Sequence, residues 1–396
     1  MQYNFDEIID RSHTFAVKVD NLPHGCPKDA LPLWVADMDL PCAQPIIDAL
    51  HERIDRRIFG YTEYSSAECK QSVVSWHRRR FDWQIAEDDI FFSPGVVPAL
   101  AFLLEALSSE GAGIIIQPPV YHPFALKIQN TGRRVLHSPL IKDEEHRTYR
   151  MDYADLERQF ARPDTAGMIL CSPHNPVGRV WSEQELRQLI EIAARYGKWI
   201  ISDEIHADLT RFGVRHTPLL KIAGSYADHI AACTSPSKTF NLAGAQLSNI
   251  IIPNQDWQRK WKQITEARYS VSMASPFALT ALIAAYTHGE DWLEQARRYI
   301  DANIAYAADF LRAHLPKTVV YNTEGTYLMW IDFSAYCAAY RIDEKGLEKL
   351  MQQKARIAFD EGYIFGAEGA CFERLNAACP RSVLEECMRR LLHVFT

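Results

Sequence analysis

Short apolar runs alternate with amphipathic segments through the middle of the chain. The stretch EQELRQLIEIAARYG (183–197) has apolar residues at helical spacing and ends at a glycine, which predicts an α-helix. KWIISDE (198–204) follows directly, an apolar run that closes on acidic residues and predicts a buried strand. GMILCSPHNP (167–176) and DHIAACTSPSK (228–238) have the same form, a buried strand that opens into a polar loop. Strand, helix and strand in succession predict right-handed βαβ units and a mostly parallel sheet.

The C-terminal part of the chain follows a different pattern. EDWLEQARRYIDANIAYAADFLRAHL (290–315) predicts a long helix, and GTYLMWIDF (325–333) predicts a strand. We therefore expect a large domain over residues 46–285 and a second, smaller α/β domain over residues 286–396. The N-terminal segment, residues 1–45, is expected to pack with the small domain.

Composition narrows the class of protein. The chain has 396 residues, of which 47% are hydrophobic, enough for a large core. Its net charge is −7 and it has no long basic run, which argues against nucleic acid or an anionic membrane as the main partner. The longest apolar runs are too short to cross a bilayer. These features favour an enzyme or binding protein that acts on a small molecule.

The cysteines and histidines indicate neither a disulfide framework nor a metal site. Nine cysteines are scattered along the chain without a CxxC pair, and 14 histidines are dispersed. This usage is typical of reduced thiols, and the first residues show no signal-peptide pattern. We therefore expect a cytoplasmic protein without a bound metal ion.

Three polar loops are expected at one edge of the predicted sheet. They are residues 172–178, 203–206 and 235–238, and each follows a buried strand. Ligands of parallel α/β sheets bind at the C-terminal ends of the strands. The loops would therefore bring the carboxylate of Asp203 and the amine of Lys238 into one cleft.

An amine, a buried carboxylate and an amide are the groups that pyridoxal phosphate requires. Lys238 would hold the cofactor covalently, and Asp203 would pair with the pyridinium nitrogen. A cation at that place favours the ionised aspartate even when it is buried. Asn175 and His206 would hydrogen-bond the ring oxygen O3′, and Tyr121 would stack on the ring face.

The phosphate of such a cofactor needs several donors. The motif SPGVVPAL predicts a loop that leads into a helix, whose first N–H groups suit a phosphate. These groups belong to Gly95, Val96 and Val97. The hydroxyls of Ser235 and Ser237, beside the lysine, would add further donors.

Each of these features also has a structural interpretation. Lys238 could lie in an ordinary turn, Asp203 could cap a helix or pair with a base, and Tyr121 and His206 could be core residues. The motifs NPVG, SDEIH and SPSK follow one another in this order along the chain. Their order and spacing favour the cofactor site.

The full set of motifs resembles the fold-type I pyridoxal-phosphate enzymes of the class I and II aminotransferase family. Within that family it is similar to the MalY/PatB-like branch of cystathionine β-lyases, or carbon–sulfur lyases. The resemblance covers nearly the whole chain and implies an α/β fold, with a mostly parallel mixed sheet between helices and a smaller α/β domain. It is carried by NFDEIIDR, PLWVADMDL, FGYTEY, SPGVVPAL, PPVYHPF, SPHNPVG, SDEIHADL, SPSKTFNLAG and FERLNAACP.

The resemblance implies a role for each residue of the cofactor site. Lys238 would be the Schiff-base lysine and would carry protons at Cα and at the leaving group. Asp203 would hold the pyridine nitrogen, Asn175 and His206 would contact O3′, and Tyr121 would stack on the ring.

It also implies a substrate site and a partner subunit. Arg374 would clamp the substrate α-carboxylate in a two-pronged hydrogen bond, with Asn175 beside it. Tyr61 would reach the substrate and the phosphate of the other subunit, which implies a homodimer with shared active sites. Trp34 and Tyr64 are expected near the mouth of the site.

One position departs from the family pattern. Gln246 stands where aminotransferases of this family commonly have an arginine that pairs with the phosphate. The phosphate would then depend more on backbone groups, hydroxyls and Tyr61. This difference favours the lyase branch.

The implied reaction is β-elimination of a sulfur amino acid. L-Cystathionine would give homocysteine, pyruvate and ammonia, and L-cysteine would give sulfide, pyruvate and ammonia. Two alternatives remain at this point, a pyridoxal-phosphate aminotransferase and a MalY-like regulatory binding protein with lyase side activity. Pyruvate formed without an added keto acid would separate the lyase from the aminotransferase.

Overall fold

The computed structural model describes all residues, 1–396. Its strands are β1 Leu31–Pro32, β2 Ile90–Ser93, β3 Gly113–Ile116, β4 Arg134–His137, β5 Ile141–Asp143, β6 Thr148–Arg150, β7 Thr165–Cys171, β8 Trp199–Asp203, β9 Ile230–Thr234, β10 Ser248–Ile251, β11 Val319–Val320, β12 Leu328–Asp332, β13 Ile357–Ala358, β14 Asp360–Glu361 and β15 Phe372–Asn376.

Its α-helices are α1 Val17–Asp20, α2 Gln44–Asp55, α3 Ala67–Phe81, α4 Val96–Leu107, α5 Pro123–Asn130, α6 Tyr153–Phe160, α7 Glu183–Arg195, α8 Leu219–Ile222, α9 Pro236–Thr239, α10 Gln255–Lys262, α11 Pro276–His288, α12 Glu290–His314, α13 Ser334–Tyr340, α14 Glu344–Lys349 and α15 Arg381–Phe395. The helices predicted over 183–197 and 290–315 are confirmed as α7 and α12.

A seven-stranded sheet forms the centre of the molecule, in the order β2-β10-β9-β8-β7-β3-β4. The strands from β9 to β4 pair in parallel, and β10 runs antiparallel to both of its neighbours. Every residue of β8 and β9 is buried, as expected where helices cover both faces of a parallel sheet. The predicted mostly parallel mixed sheet is confirmed.

Helix α7 shows how the sequence builds one crossover of this sheet. Ser182 accepts a hydrogen bond from the backbone N–H of Glu185, and the Glu185 side chain returns to the backbone N–H of Ser182. These two reciprocal hydrogen bonds form a capping box, which stabilises the first turn of α7. Leu186, Leu189 and Ala193 lie on the buried face, because they recur at helical spacing. The helix therefore packs on the sheet and returns the chain to β8.

A second sheet has four antiparallel strands in the order β11-β12-β15-β14. Met329, Ile331 and Leu375 of this sheet lie in a separate core of 22 buried residues, whereas Leu328, Trp330 and Phe372 join the large core. Strand β1 pairs in parallel with β13, so the N-terminal segment contacts this part of the chain. The proposed domain boundaries at residues 45 and 285 stay a prediction.

The cysteines of the chain are all free thiols, and six of the nine are buried. The helices include none that combines the length and the apolar character needed to cross a membrane. No group of three or more histidine, cysteine or acidic side chains is arranged to hold a metal ion.

Candidate active site

The loops after β7, β8 and β9 surround one cavity of about 170 Å³ at the C-terminal edge of the central sheet. This is the edge at which the sequence places the ligand. The residues predicted for the cofactor site that line the cavity are Gly95, Val96, Val97, Tyr121, Asn175, Asp203, His206, Ser237 and Lys238. Gln246, the position that departs from the family pattern, lines it as well.

Lys238 lies in the single-turn helix α9, directly after β9. Ser235 caps this turn, because its hydroxyl accepts a hydrogen bond from the N–H of Ser237 at 3.1 Å. The Nζ atom of Lys238 donates to the carbonyl oxygen of Ala36 at 2.6 Å. The capped turn and this bond together hold the amine at the cavity.

The environment of Lys238 favours its neutral amine. Burial and the nearby Arg374 guanidinium together lower the pKa of Lys238 to about 8, although the carboxylates of Asp37 and Asp203 oppose this shift. A lysine whose pKa falls toward neutrality is a competent nucleophile and base. The position can therefore support covalent chemistry.

Asp203 is the last residue of β8 and is buried. Burial raises its pKa to about 7, although a hydrogen bond from the Ile205 N–H at 3.1 Å and the charge of Lys238 oppose the rise. A buried carboxylate with one backbone donor is costly to ionise. The site therefore suits a ligand that brings its own cationic N–H to this carboxylate.

His206 and Asn175 offer polar atoms to the cavity. The buried His206 has no hydrogen-bond partner at Nδ1, and burial holds its pKa well below the usual range, so the imidazole is neutral. The Oδ1 atom of Asn175 accepts from Nη1 of Arg374 at 3.0 Å. This bond orients the amide and leaves its nitrogen as the donor for a ligand oxygen.

The start of α4 forms the wall where a phosphate is expected. Gly95 is the N-cap residue and provides no side-chain cap, so the first N–H groups of the helix have no side-chain acceptor. Ser237 lies at the same cavity, whereas Ser235 does not line it. The Ser235 hydroxyl is already bonded to the carbonyl oxygen of Leu247 at 2.7 Å. The same hydroxyl caps the turn that contains Lys238.

The aromatic residues expected around the site lie in different places. Tyr121 lines the cavity, and its backbone N–H donates to the Asn175 carbonyl oxygen at 3.1 Å. Trp34 contributes its backbone, since its carbonyl oxygen accepts from Arg374 at 2.9 Å. Tyr64 does not line the cavity, because it is buried and its hydroxyl donates to Asn249 at 2.6 Å. Tyr61 is 95% exposed and does not line the cavity within this chain.

The sequence reasoning missed two contributions to the site. The Ala36 carbonyl oxygen accepts a hydrogen bond from the Lys238 amine. It also accepts one from the hydroxyl of Tyr327 at 2.8 Å. Ala36 lies in the motif PLWVADMDL, but its contribution is a backbone oxygen. Side-chain types cannot predict such a contact, because every residue has this oxygen. Asp360 pairs with Arg374 from the neighbouring strand, and no motif marks it.

These groups together fit pyridoxal phosphate. The cavity offers an amine of lowered pKa, a carboxylate that needs a cation, an unpartnered neutral imidazole nitrogen and an uncapped helix start. Each of the four matches a different part of the cofactor: its aldehyde, ring nitrogen, O3′ and phosphate. The roles of the individual residues stay predictions.

The fold and this set of groups define the class as the pyridoxal-phosphate enzymes of fold type I. The family model for aminotransferase class I and II matches residues 28–391. The chain belongs to that family.

Several relatives lie in one branch of the family. The chain is 39% identical to cystathionine beta-lyase PatB of Bacillus subtilis, over 98% of each chain. It is 32% identical to protein MalY of Escherichia coli, over 99% of this chain and 98% of that protein. The crystal structure of cystalysin from Treponema denticola, which contains pyridoxal 5'-phosphate, superimposes with a TM-score of 0.94 at 36% identity, covering 100% of this chain and 99% of that one.

Proposed function

We propose that the protein is a pyridoxal-phosphate-dependent carbon–sulfur lyase that cleaves sulfur amino acids by β-elimination. L-Cystathionine and water give homocysteine, pyruvate and ammonia, and L-cysteine and water give sulfide, pyruvate and ammonia. The observation that carries this proposal is the single cavity that joins Lys238 to Asp203, in a chain 39% identical to a cystathionine β-lyase.

Pyridoxal phosphate, when bound to Lys238, supplies a ring that accepts the electrons released at the substrate Cα. Asp203 would hold its negative charge at the ring nitrogen and so keep that nitrogen protonated. His206 and Asn175 would offer their polar atoms to O3′, and the N-terminus of α4 would bind the phosphate. Tyr121 would pack against the ring face.

Arg374 and Lys238 act on the substrate itself. Arg374 binds the α-carboxylate, which orients the Cα–H bond for removal. The Lys238 amine, whose pKa is about 8 in the free chain, takes the proton from Cα. The Cβ–S bond then breaks, and the sulfur leaves with its electron pair. A thiolate is a stable leaving group, so little acid assistance is needed.

Incubation of the purified holoenzyme with L-cystathionine alone tests the reaction. We expect pyruvate and free thiol to appear in equal amounts without any keto acid, because elimination needs no amino acceptor. Lactate dehydrogenase with NADH measures pyruvate, and a thiol reagent measures homocysteine.

A parallel reaction with an added keto acid provides the control. An amino acid product that forms only with that keto acid, together with an absence of free thiol, would identify an aminotransferase and contradict the lyase assignment. L-Alanine in place of L-cystathionine is a matched substrate control, since it has no leaving group at Cβ.

The proposal includes a homodimer with shared sites. Ile58, Phe59, Tyr61 and Met273 are exposed apolar side chains, and two of them, Tyr61 and Met273, line a cleft of about 920 Å³. Exposed apolar groups in one region favour a protein interface. In such a dimer Tyr61 would enter the partner's site.

Mixing two inactive variants tests the shared site. Lys238→Ala and Tyr61→Ala chains, unfolded and refolded together at equal amounts, should recover about one quarter of the parent activity per chain. Half of the dimers are then hybrids, and each hybrid has one site with both residues intact. Light scattering should give twice the mass of one chain. A monomer mass, or no recovery in the mixture, would contradict the shared dimer.

Two further parts of the proposal concern organisation and location. The division into residues 1–45, 46–285 and 286–396 is supported by the separate core of the four-stranded sheet and by the pairing of β1 with β13. A cytoplasmic location is supported by the nine free thiols.

A further inference from the structure

The guanidinium of Arg374 is almost completely occupied by groups of the protein. Its Nη1 atom donates to Asn175 Oδ1 at 3.0 Å, and its Nη2 atom donates to the Trp34 carbonyl oxygen at 2.9 Å and to the Asp360 carboxylate. The ring of Phe365 lies 4.9 Å from the guanidinium carbon. Only Nε is buried without a partner.

This occupancy conflicts with a two-pronged bond to a substrate carboxylate. A guanidinium presents two edges to a carboxylate, Nη1 with Nη2 and Nε with Nη2. Both edges use a hydrogen of Nη2. In Arg374 the two hydrogens of Nη2 are directed to Trp34 and Asp360. A substrate carboxylate can therefore bind in the two-pronged manner only when one of these partners leaves.

Asp360 is the partner that can leave. The Trp34 oxygen belongs to the backbone of a segment whose next carbonyl, that of Val35, is bonded to Asn376 at 2.7 Å. Asp360 instead uses a side chain, which stands opposite Arg374 in the β14–β15 register and is 15% exposed. Burial also raises the pKa of Asp360, so its ionised form is held mainly by Arg374.

We propose that Asp360 is an internal carboxylate that competes with the substrate carboxylate for Arg374 and thereby sets the affinity for substrate. The inference rests on the proposed function, in which Arg374 is the carboxylate clamp. Asp360 occupies the Nη2 hydrogen in the free enzyme and rotates away when substrate binds. A ligand that offers a carboxylate alone has to overcome this competition without the other contacts of an amino acid.

The variant Asp360→Asn tests the competition in the holoenzyme. Asparagine keeps the size of the side chain but removes the charge that competes for Arg374. We expect propionate, a simple carboxylate probe, to bind the variant about tenfold more tightly, the equivalent of one charge-assisted hydrogen bond. Isothermal titration calorimetry measures this affinity. The KM for L-cystathionine should fall in the same direction, with a smaller change in kcat.

Glu361→Gln is the matched control. It replaces the carboxyl group of the adjacent residue of β14 by an amide; this side chain contacts Gln352 at 2.9 Å and faces Glu373 in the register. Its propionate affinity should equal that of the parent. If propionate binding to Asp360→Asn is unchanged or weaker than in the parent, Asp360 does not compete and the inference is overturned.

Arg374→Ala separates this inference from the proposed function. In this background Asp360→Asn should have no effect on propionate binding, since the shared target is gone. If Arg374→Ala itself leaves propionate binding and KM unchanged, Arg374 is not the clamp, and the proposed role fails first. A tightening by Asp360→Asn that persists without Arg374 would also overturn the competition.

Discussion

Substitution of Lys238 by alanine should lower the lyase rate by at least about 10³-fold and remove the covalent link to the cofactor. The expected effect is large because one amine serves both as the point of attachment and as the base at Cα. Its position depends on a capped turn and on one hydrogen bond to the Ala36 carbonyl oxygen. No other lysine lines the cavity, so no neighbour can take over both tasks.

Two measurements check this result. Visible absorbance after dialysis reports whether the cofactor stays attached, and the pyruvate assay reports the rate. Lys238→Arg is the matched control, because it keeps a positive charge near Ala36 but cannot form the covalent link. It should be as inactive as the alanine variant.

Rescue by a small amine separates chemistry from misfolding. Loss of the lysine side chain leaves space beside the cavity, so added ethylamine should restore part of the rate in Lys238→Ala but not in Lys238→Arg, where the longer side chain fills that space. Parent-like turnover in either variant without added amine would remove Lys238 from the reaction.

The sequence predicts the central fold well because the necessary information is local. The apolar runs that become β7, β8 and β9 are each followed by a polar loop, and α7 carries its own capping box. A parallel arrangement then places the three loop ends together without knowledge of any distant contact. The reversed direction of β10 has no such local signal, because an apolar run pairs equally well in either direction.

The parts of the site that were missed depend on contacts between distant segments. Ala36 acts through its carbonyl oxygen, which any residue would provide. Asp360 meets Arg374 only through the register of β14 on β15. Tyr64 likewise donates its hydroxyl to Asn249, a residue 185 positions away in the chain. Side-chain type and spacing carry no information on these pairings.

Substitution of Asp203 by asparagine should have opposite effects on activity and on the stability of the cofactor-free chain. We expect kcat for pyruvate formation to fall by about 10²–10³-fold, the usual cost of losing a preorganised charge at a reacting group. Asparagine retains an oxygen that accepts the Ile205 N–H, so the loop keeps its bond. The loss would therefore come from the missing negative charge at the ring nitrogen.

The stability effect follows from the pKa of Asp203. Burial raises this pKa to about 7 from the ordinary 3.8, so the folded cofactor-free chain binds a proton more tightly than the unfolded chain does. Stability from this group is therefore lost as the pH rises from about 4 through about 7. Asp203→Asn has no such dependence, so the cofactor-free variant should gain stability relative to the parent over that range and keep the difference above it.

Denaturant unfolding of both cofactor-free proteins at pH 5 and pH 8 measures this difference, with Asp82→Asn as a control at an exposed side chain. The difference in the free energy of unfolding between parent and Asp203→Asn should be larger at pH 8, while the Asp82 variant should follow the parent.

Cofactor binding should then stabilise the parent more than Asp203→Asn, because only the parent offers the carboxylate that pairs with the ring nitrogen. If the difference in the free energy of unfolding is independent of pH and kcat equals that of the parent, Asp203 is only a structural residue at a strand end. The predicted combination, a variant that is more stable when empty and slower when loaded, is the signature of a charge that burial penalises until the cofactor arrives.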